Sequence, residues 1–228
     1  TTYVETRFNW RQGNNNVELK HGYIDLAGFR VGKTDSAFIT FTDYAGAVLI
    51  DDLIDFGPDD VNVIQYNYDS GSGFTAVISL EDFADPANDY VPNAVLGLGY
   101  KGEAFSARLL GGYDSSLEEG ALKARIDGNF GGFSAFIMAG WNTEGNFRND
   151  YATWDGDWAV WGGVSVPVGD RVKFNAQLAY DEAETFAANV NVAYTVVPGF
   201  VVTPEIAYRD RPVVGDAWGG IIRFQRSF

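Results

Sequence analysis

From Val61 to Phe228 this chain repeats one device: about ten residues in which apolar and polar side chains alternate, followed by a turn. Successive side chains on a strand point to opposite faces, so each segment reads as a strand with one apolar and one polar face. In 61–69, Ile64, Tyr66 and Tyr68 oppose Gln65, Asn67 and Asp69. In 74–82, Phe74, Ala76, Ile78 and Leu80 oppose Thr75, Ser79 and Glu81. In 122–130, Leu122, Ala124, Ile126 and Phe130 oppose Lys123, Arg125, Asp127 and Asn129. The same holds in 172–181 and 188–196, and residues 1–11 alternate equally well. Residues 17–36 read as two further strands broken at Ala27-Gly28. The total is roughly fourteen strands, of the length that crosses a bilayer at a tilt.

Alternation is equally normal in a soluble sandwich. Two features favour a barrel in a membrane. Connections are short at 70–73, 101–103, 131–132 and 169–171 and long at 83–92, 142–156 and 210–216, which fits turns at one rim and loops at the other. Aromatic residues sit near strand ends on the apolar face (Tyr68, Phe74, Tyr100, Phe105, Phe130; Tyr113, Trp141, Trp158, Tyr180, Tyr208, Trp218), as interfacial girdles require. The opposite face is small and polar. It would be surface in a sandwich and water-filled lumen in a barrel.

Composition narrows the function. There is no Cys and a single His, His21, so thiolate chemistry, a His-based metal site and a triad are not expected. A formal charge of −15 disfavours nucleic acid as a partner. No phosphate-binding glycine motif and no nucleophile–base pair stand out, so neither a cofactor nor an enzyme is expected. His21 reads as a packed or interface residue.

One stretch breaks the rhythm. Residues 35–60 hold seven acids (Asp35, Asp43, Asp51, Asp52, Asp55, Asp59, Asp60), no base, and an apolar middle including Phe38, Phe41, Leu49, Ile50, Ile54 and Phe56. A loop this long is functional or disordered, and disorder would lack the aromatic content. It is either a helix-bearing surface insertion or a loop folded into something hollow. Adjacent acids such as Asp51-Asp52 could also attract Ca²⁺, though no metal site is assigned. Before it, Ile24 and Leu26 fall on the parity of Glu18 and Lys20. That mixture is unsuited to lipid, so 17–36 is expected to pack against a neighbouring subunit.

GFRVGKTDSAFITFTDYAGAVLIDDLIDFGP (28–58), GFTAVISLED (73–82), DGDWAVWGGVSV (155–166) and the C-terminal strand ending in Phe228 together resemble the general porins of alpha-proteobacteria, of the Rhizobiales type. The resemblance runs through nearly the whole chain. It implies an all-β fold: a 16-stranded transmembrane antiparallel barrel over a single domain, 1–228, in the bacterial outer membrane. It also implies a homotrimer among lipid and lipopolysaccharide that passes small hydrophilic solutes and ions. The runner-up is a non-channel barrel, such as an adhesin, a surface-structural protein or a barrel enzyme. The family's third external loop folds inward and narrows the channel, and 35–60 takes that place. Residues 29–36 then become strand five and 61–69 strand six, so two N-terminal strands are missing from this chain unless it closes unusually with fourteen. Arg226 departs from the family's apolar final strand; at the rim it could snorkel.

On this reading Asp43, Asp51, Asp52 and Asp55 form the acidic side of a constriction. The basic wall comes from Arg7, Arg11, Lys20, Arg108, Lys123, Arg125 and Arg223, which have or could have lumen parity. Opposed charge at a narrow point orients dipolar solutes and sets ion preference.

Overall fold

The structure, a computed structural model, describes residues 1–228 except Gln12, 84–89 and Asn146, and only the backbone at Arg11 and Asn14. The connection expected over 83–92 therefore falls largely outside the described residues. Fourteen strands form one sheet: β1 Thr2–Arg11, β2 Asn14–Leu26, β3 Phe29–Thr34, β4 Val61–Asp69, β5 Phe74–Asp82, β6 Asn93–Lys101, β7 Phe105–Asp114, β8 Glu119–Asn129, β9 Ser134–Asn142, β10 Trp158–Val168, β11 Val172–Asp181, β12 Phe186–Val197, β13 Phe200–Arg211 and β14 Gly215–Arg226. Every pairing is antiparallel and joins sequence neighbours. β1 and β14 are the two edges and do not pair with each other in the sheet order, so these strands make no fourteen-stranded closure. One rim carries short turns, as at Ala27-Gly28 and Pro198-Gly199. The other carries the long connections 35–60 and 143–157, although the expected long link at 210–216 shrinks to 212–214.

The two faces are inverted relative to a water-soluble protein. Ile78, Leu96, Leu98, Ile126, Ile137 and Ile206 are more than half exposed on the outside. Gln65, Ser79, Glu81, Lys123, Asn175, Gln177, Asn189, Asn191 and Glu205 are buried on the inside. Only a hydrocarbon surround makes such an exterior favourable. Ring pairs mark the rims: Phe74–Tyr100 at 5.4 Å and Phe130–Phe133 at 4.8 Å at the turn end, Trp158–Tyr180 at 6.0 Å and Tyr208–Trp218 at 4.7 Å at the loop end. Arg226 directs its guanidinium to the Pro198 carbonyl, 2.9 Å away in a short turn. Its apolar stem stays on the outer face and its charge reaches the rim. Placing a charge in the middle of this belt, Ile78→Arg, should cost about 2–4 kcal/mol, the midplane value for a barrel's lipid face. Denaturant titration of folding into vesicles measures it.

In β2 the faces differ from those expected of a regular strand. Glu5 pairs with His21 but Thr6 pairs with Leu19, so Lys20 is an extra residue in β2, a bulge. The bulge resets the parity. Val17 and Leu19 face outward before it, Ile24 and Leu26 outward after it, and all four are exposed. The apparent mixing of polar and apolar residues comes from reading one parity across two registers. On β2 the outward residues are therefore apolar; the outward polar side chain of β3 is Lys33, which shares the parity of Phe29 and Val31 and reaches the Leu19 carbonyl at 3.1 Å and Asp60 at 3.6 Å near the loop rim.

Candidate functional site

A buried loop must satisfy its backbone polar groups, because water cannot. The connection between β3 and β4 does this against the inner wall. Its first turn is a short helix, α1, Ala37–Thr40, whose cap residue Ser36 accepts from the Phe38 amide. Glu81 of β5, almost wholly buried, accepts from Ser36 Oγ at 2.6 Å and from the Ala37 amide at 2.8 Å. The loop then crosses the lumen. Arg108 donates to the Thr42 carbonyl at 3.3 Å and Arg125 to that of Tyr44. Asn191 donates to Ala47 O at 2.9 Å, Asn189 to Ile50 O at 2.8 Å and Gln177 to Asp51 O at 3.0 Å. Glu205 of β13 accepts the amides of Leu49 and Ile50. On the return, Trp161 Nε1 donates to Ile54 O at 2.9 Å and Lys123 Nζ to Phe56 O at 2.6 Å. The Ser36 amide meets Pro58 O at 3.2 Å and closes the neck.

One loop thus touches the same face of strands from β5 to β13. A sheet allows that only if it curls around the loop, as a barrel wall does. The small polar inner face is therefore in large part a socket for backbone, beyond any lining of water. The packed apolar core sits here too: Phe38, Ile39, Ile54 and Phe56 lie against Val77, Val95, Leu110, Met138 and Trp161.

A second connection, 143–157, also turns inward. The Asn149 side chain accepts the amides of Tyr151 and Ala152, which fixes the bend. Tyr151 is fully buried, its hydroxyl 3.2 Å from Glu81 and its ring 5.3 Å from that of Phe38. The ring lies flat over Gly112, where a Cβ would stand 2.3 Å from it; Trp154 covers Gly140 in the same way at 2.5 Å. Glycine on the wall is what admits each ring. Gly112→Val should cost about 1–3 kcal/mol by overpacking. Gly219→Val on β14, where nothing lies within 4 Å, should not cost this overpacking. Thermal unfolding of the two variants compares them.

The charges divide into two groups. Asp51, Asp52 and Asp55 line a cavity of about 400 Å³ together with Glu5, Arg7, Lys20, His21, Asp35, Tyr44 and Asp59. The bulge aims Lys20 here, 2.8 Å from Asp60, 3.5 Å from Asp35 and 3.6 Å from Asp59. Asp35 also meets His21 at 3.2 Å and the Tyr44 hydroxyl at 2.6 Å. Burial would push the Asp35 carboxyl up, but the Tyr44 hydroxyl and Lys20 hold it below its usual range. Arg7 pairs with Glu5 at 3.3 Å. The local cations are thus taken, while Asp51, Asp52 and Asp55 have no ion pair among the described residues. Burial, reinforced by neighbouring Asp52, raises the Asp51 carboxyl to about 7. Burial raises Asp55 and Asp59 as well.

The remaining sequence candidates lie elsewhere. Arg108, Lys123 and Arg125 are on the inner face and hold the loop's carbonyls; Lys123 also lies within electrostatic reach of Asp55 without bonding to it. Arg125 also binds Asp127 at 2.7 Å and lies over Phe136 at 4.2 Å, and Lys123 lies over Phe38 at 4.3 Å. Asp43 faces the turn rim beside Arg125 and Lys101, apart from the other three acids. Arg223 has inward parity opposite Thr203. The side chain of Arg11 is outside those described. Three arginines escaped the sequence reading: Arg148, Arg209 and Arg211 border the loop-rim side of Asp52 and Asp55. Parity could have found two of them, since Glu205 and Arg209 share a face of β13. Among the described residues no group of three or more His, Cys, Asp or Glu is arranged to hold a metal ion.

Known proteins resemble this chain throughout. A family profile described as "Porin subfamily" matches residues 1–216. Porin Omp2b of Brucella abortus and of Brucella suis are each 39% identical over the whole chain, which spans 71% of their length. Among solved structures, the outer membrane channel DcaP of Acinetobacter baumannii superposes with a TM-score of 0.70 at 18% identity, covering 100% of this chain and 80% of its own. An anion-selective porin from Comamonas acidovorans gives 0.65 at 15% identity, covering 93% and 79%. At these identities the two structures speak for the fold alone.

Proposed function

The chain belongs to the porin family, and on that footing we propose that its 35–60 loop is the constriction of the channel and that Asp51, Asp52 and Asp55 set the channel's ion preference. The protein is an outer-membrane channel. Small hydrophilic solutes and ions diffuse through the water left beside the loop. The observation that carries the reading is the three carboxylates without ion pairs on a loop socketed across the inner wall. Arg7 and Lys20 border the same cavity but are paired with other acids, so the uncompensated charge there is that of the loop carboxylates. The same proposal includes assembly as a homotrimer among lipid and lipopolysaccharide, which subunit counting in detergent tests.

Planar-bilayer recording of the purified full-length protein tests the channel itself. Ohmic conductance steps are expected. A protein that inserts but gives no steps would end the channel reading and leave a non-conducting barrel in its place.

A further inference from the structure

On the loop-rim side of the constriction, a second cleft of about 240 Å³ lies between Asp52 and Asp55 on one side and Arg148, Arg209 and Arg211 on the other. Arg148 is occupied, 2.8 Å from Asp155. Arg209 and Arg211 are half-buried on the inner face of β13 and make no ion pair or side-chain hydrogen bond among the described residues. Asp52 lies within electrostatic reach of Arg209 and does not bond to it. The indole N–H of Trp154, which lines the same cleft, is buried without a partner. The other two carboxylates of the lining are Asp155, held by Arg148, and Asp181, which accepts the Thr185 amide at 2.9 Å.

Guanidiniums and carboxylates that make no ion pair across a gap, among the described residues, are a poor arrangement for stability, even with Asp55 accepting the Phe56 amide at 2.8 Å. They are a good arrangement for a solute carrying both signs. Resting on the constriction reading above, we propose that this cleft is a docking site for small zwitterions of the α-amino-acid type. The solute carboxylate lies against Arg209 and Arg211, and its ammonium against Asp52 and Asp55. Guanidinium suits the carboxylate because its planar fork donates two parallel bonds. The cleft is smaller than the 300–1,000 Å³ typical of drug-sized ligands, which limits it to solutes of a few heavy atoms.

The test is single-channel recording in potassium chloride with L-alanine added. A solute that rests in the passage lowers the current with a saturating dependence on concentration; one that merely passes lowers it in proportion. Alanine should saturate, and its neutral isomer lactamide, propionate and ethylammonium should not. Replacing both arginines (Arg209→Gln with Arg211→Gln) should raise the half-blocking concentration about tenfold, the loss expected of a charge-assisted contact. Asp52→Asn should raise it from the other end, and the double lysine variant should retain part of the block. Equal block by propionate and alanine would overturn the zwitterion assignment, and an unchanged half-blocking concentration in the glutamine variant would overturn the placement. Steady conductance without saturable block sinks this proposal alone, whereas absent conductance sinks the channel reading beneath it.

Discussion

Converting Asp51, Asp52 and Asp55 together to Asn should lower the cation-to-anion permeability ratio about threefold or more. A carboxylate about 7 Å from a passing ion in water contributes about 0.6 kcal/mol, nearly a threefold local enrichment of cations. The three line one cavity, and among the described residues no ion pair offsets them. Salt weakens the effect, since screening reaches about 10 Å at 0.1 M and shortens from there. Protons weaken it as well. Asp51 titrates near 7, so it loses charge as the pH falls through that value. Cation preference should therefore rise between about pH 6 and pH 8 in the wild type and stay flatter in the triple variant. Reversal potentials across a salt gradient measure both. The same exchange at Glu144, Glu182 and Glu184, in the outer connections, should change the ratio less. Selectivity that followed the outer glutamates and ignored the loop would move the acids of 35–60 out of the passage.

Why some of this was legible in the sequence and some was not follows from what period two encodes. It reports which face of the sheet a residue takes, and it reports nothing of height or partner. The strands, the rims and the outward Ile and Leu residues were all readable that way. Parity also placed Arg108, Lys123 and Arg125 inside, but could not show that they are spent on the carbonyls of Thr42, Tyr44 and Phe56. A bulge defeats the method outright. One added residue at Lys20 made a clean lipid face look mixed, and the short run around it contains no Gly or Pro that would have flagged the slip before Gly22. The second inward connection was hidden for another reason. Tyr151 and Trp154 resemble ordinary loop aromatics until Gly112, on β7, and Gly140, on β9, are seen beneath them.

Glu205 is the carboxylate that holds the tip of the loop, and removing it should make the channel unsteady. Glu205 accepts the amides of Leu49 and Ile50 and two side-chain hydrogen bonds, from Asn191 at 2.8 Å and Asn189 at 3.5 Å. In Glu205→Ala the two loop amides lose their acceptor, at about 1–3 kcal/mol for each group left unpaired, less wherever water enters. Asn189 and Asn191 still hold the Ile50 and Ala47 carbonyls, so the tip should loosen without the whole loop leaving. A tip that visits several positions varies the narrowest section, and open-channel current noise should rise with a modest gain in mean conductance. Glu205→Gln keeps the shape and one acceptor oxygen but turns an amide donor toward the loop, and should fall between wild type and Ala. Glu81→Ala acts at the other end, where it frees both α1 and Tyr151, and should loosen two loops at once. Since Glu81 and Glu205 hold separate stretches of the loop, their effects on stability should add to within about 0.5 kcal/mol. Quiet traces and an unchanged mean current in Glu205→Ala would show that the loop does not depend on this carboxylate, and that the wall's hydrogen bonds to the loop carbonyls and the packing of Ile54 and Phe56 by Trp161 suffice.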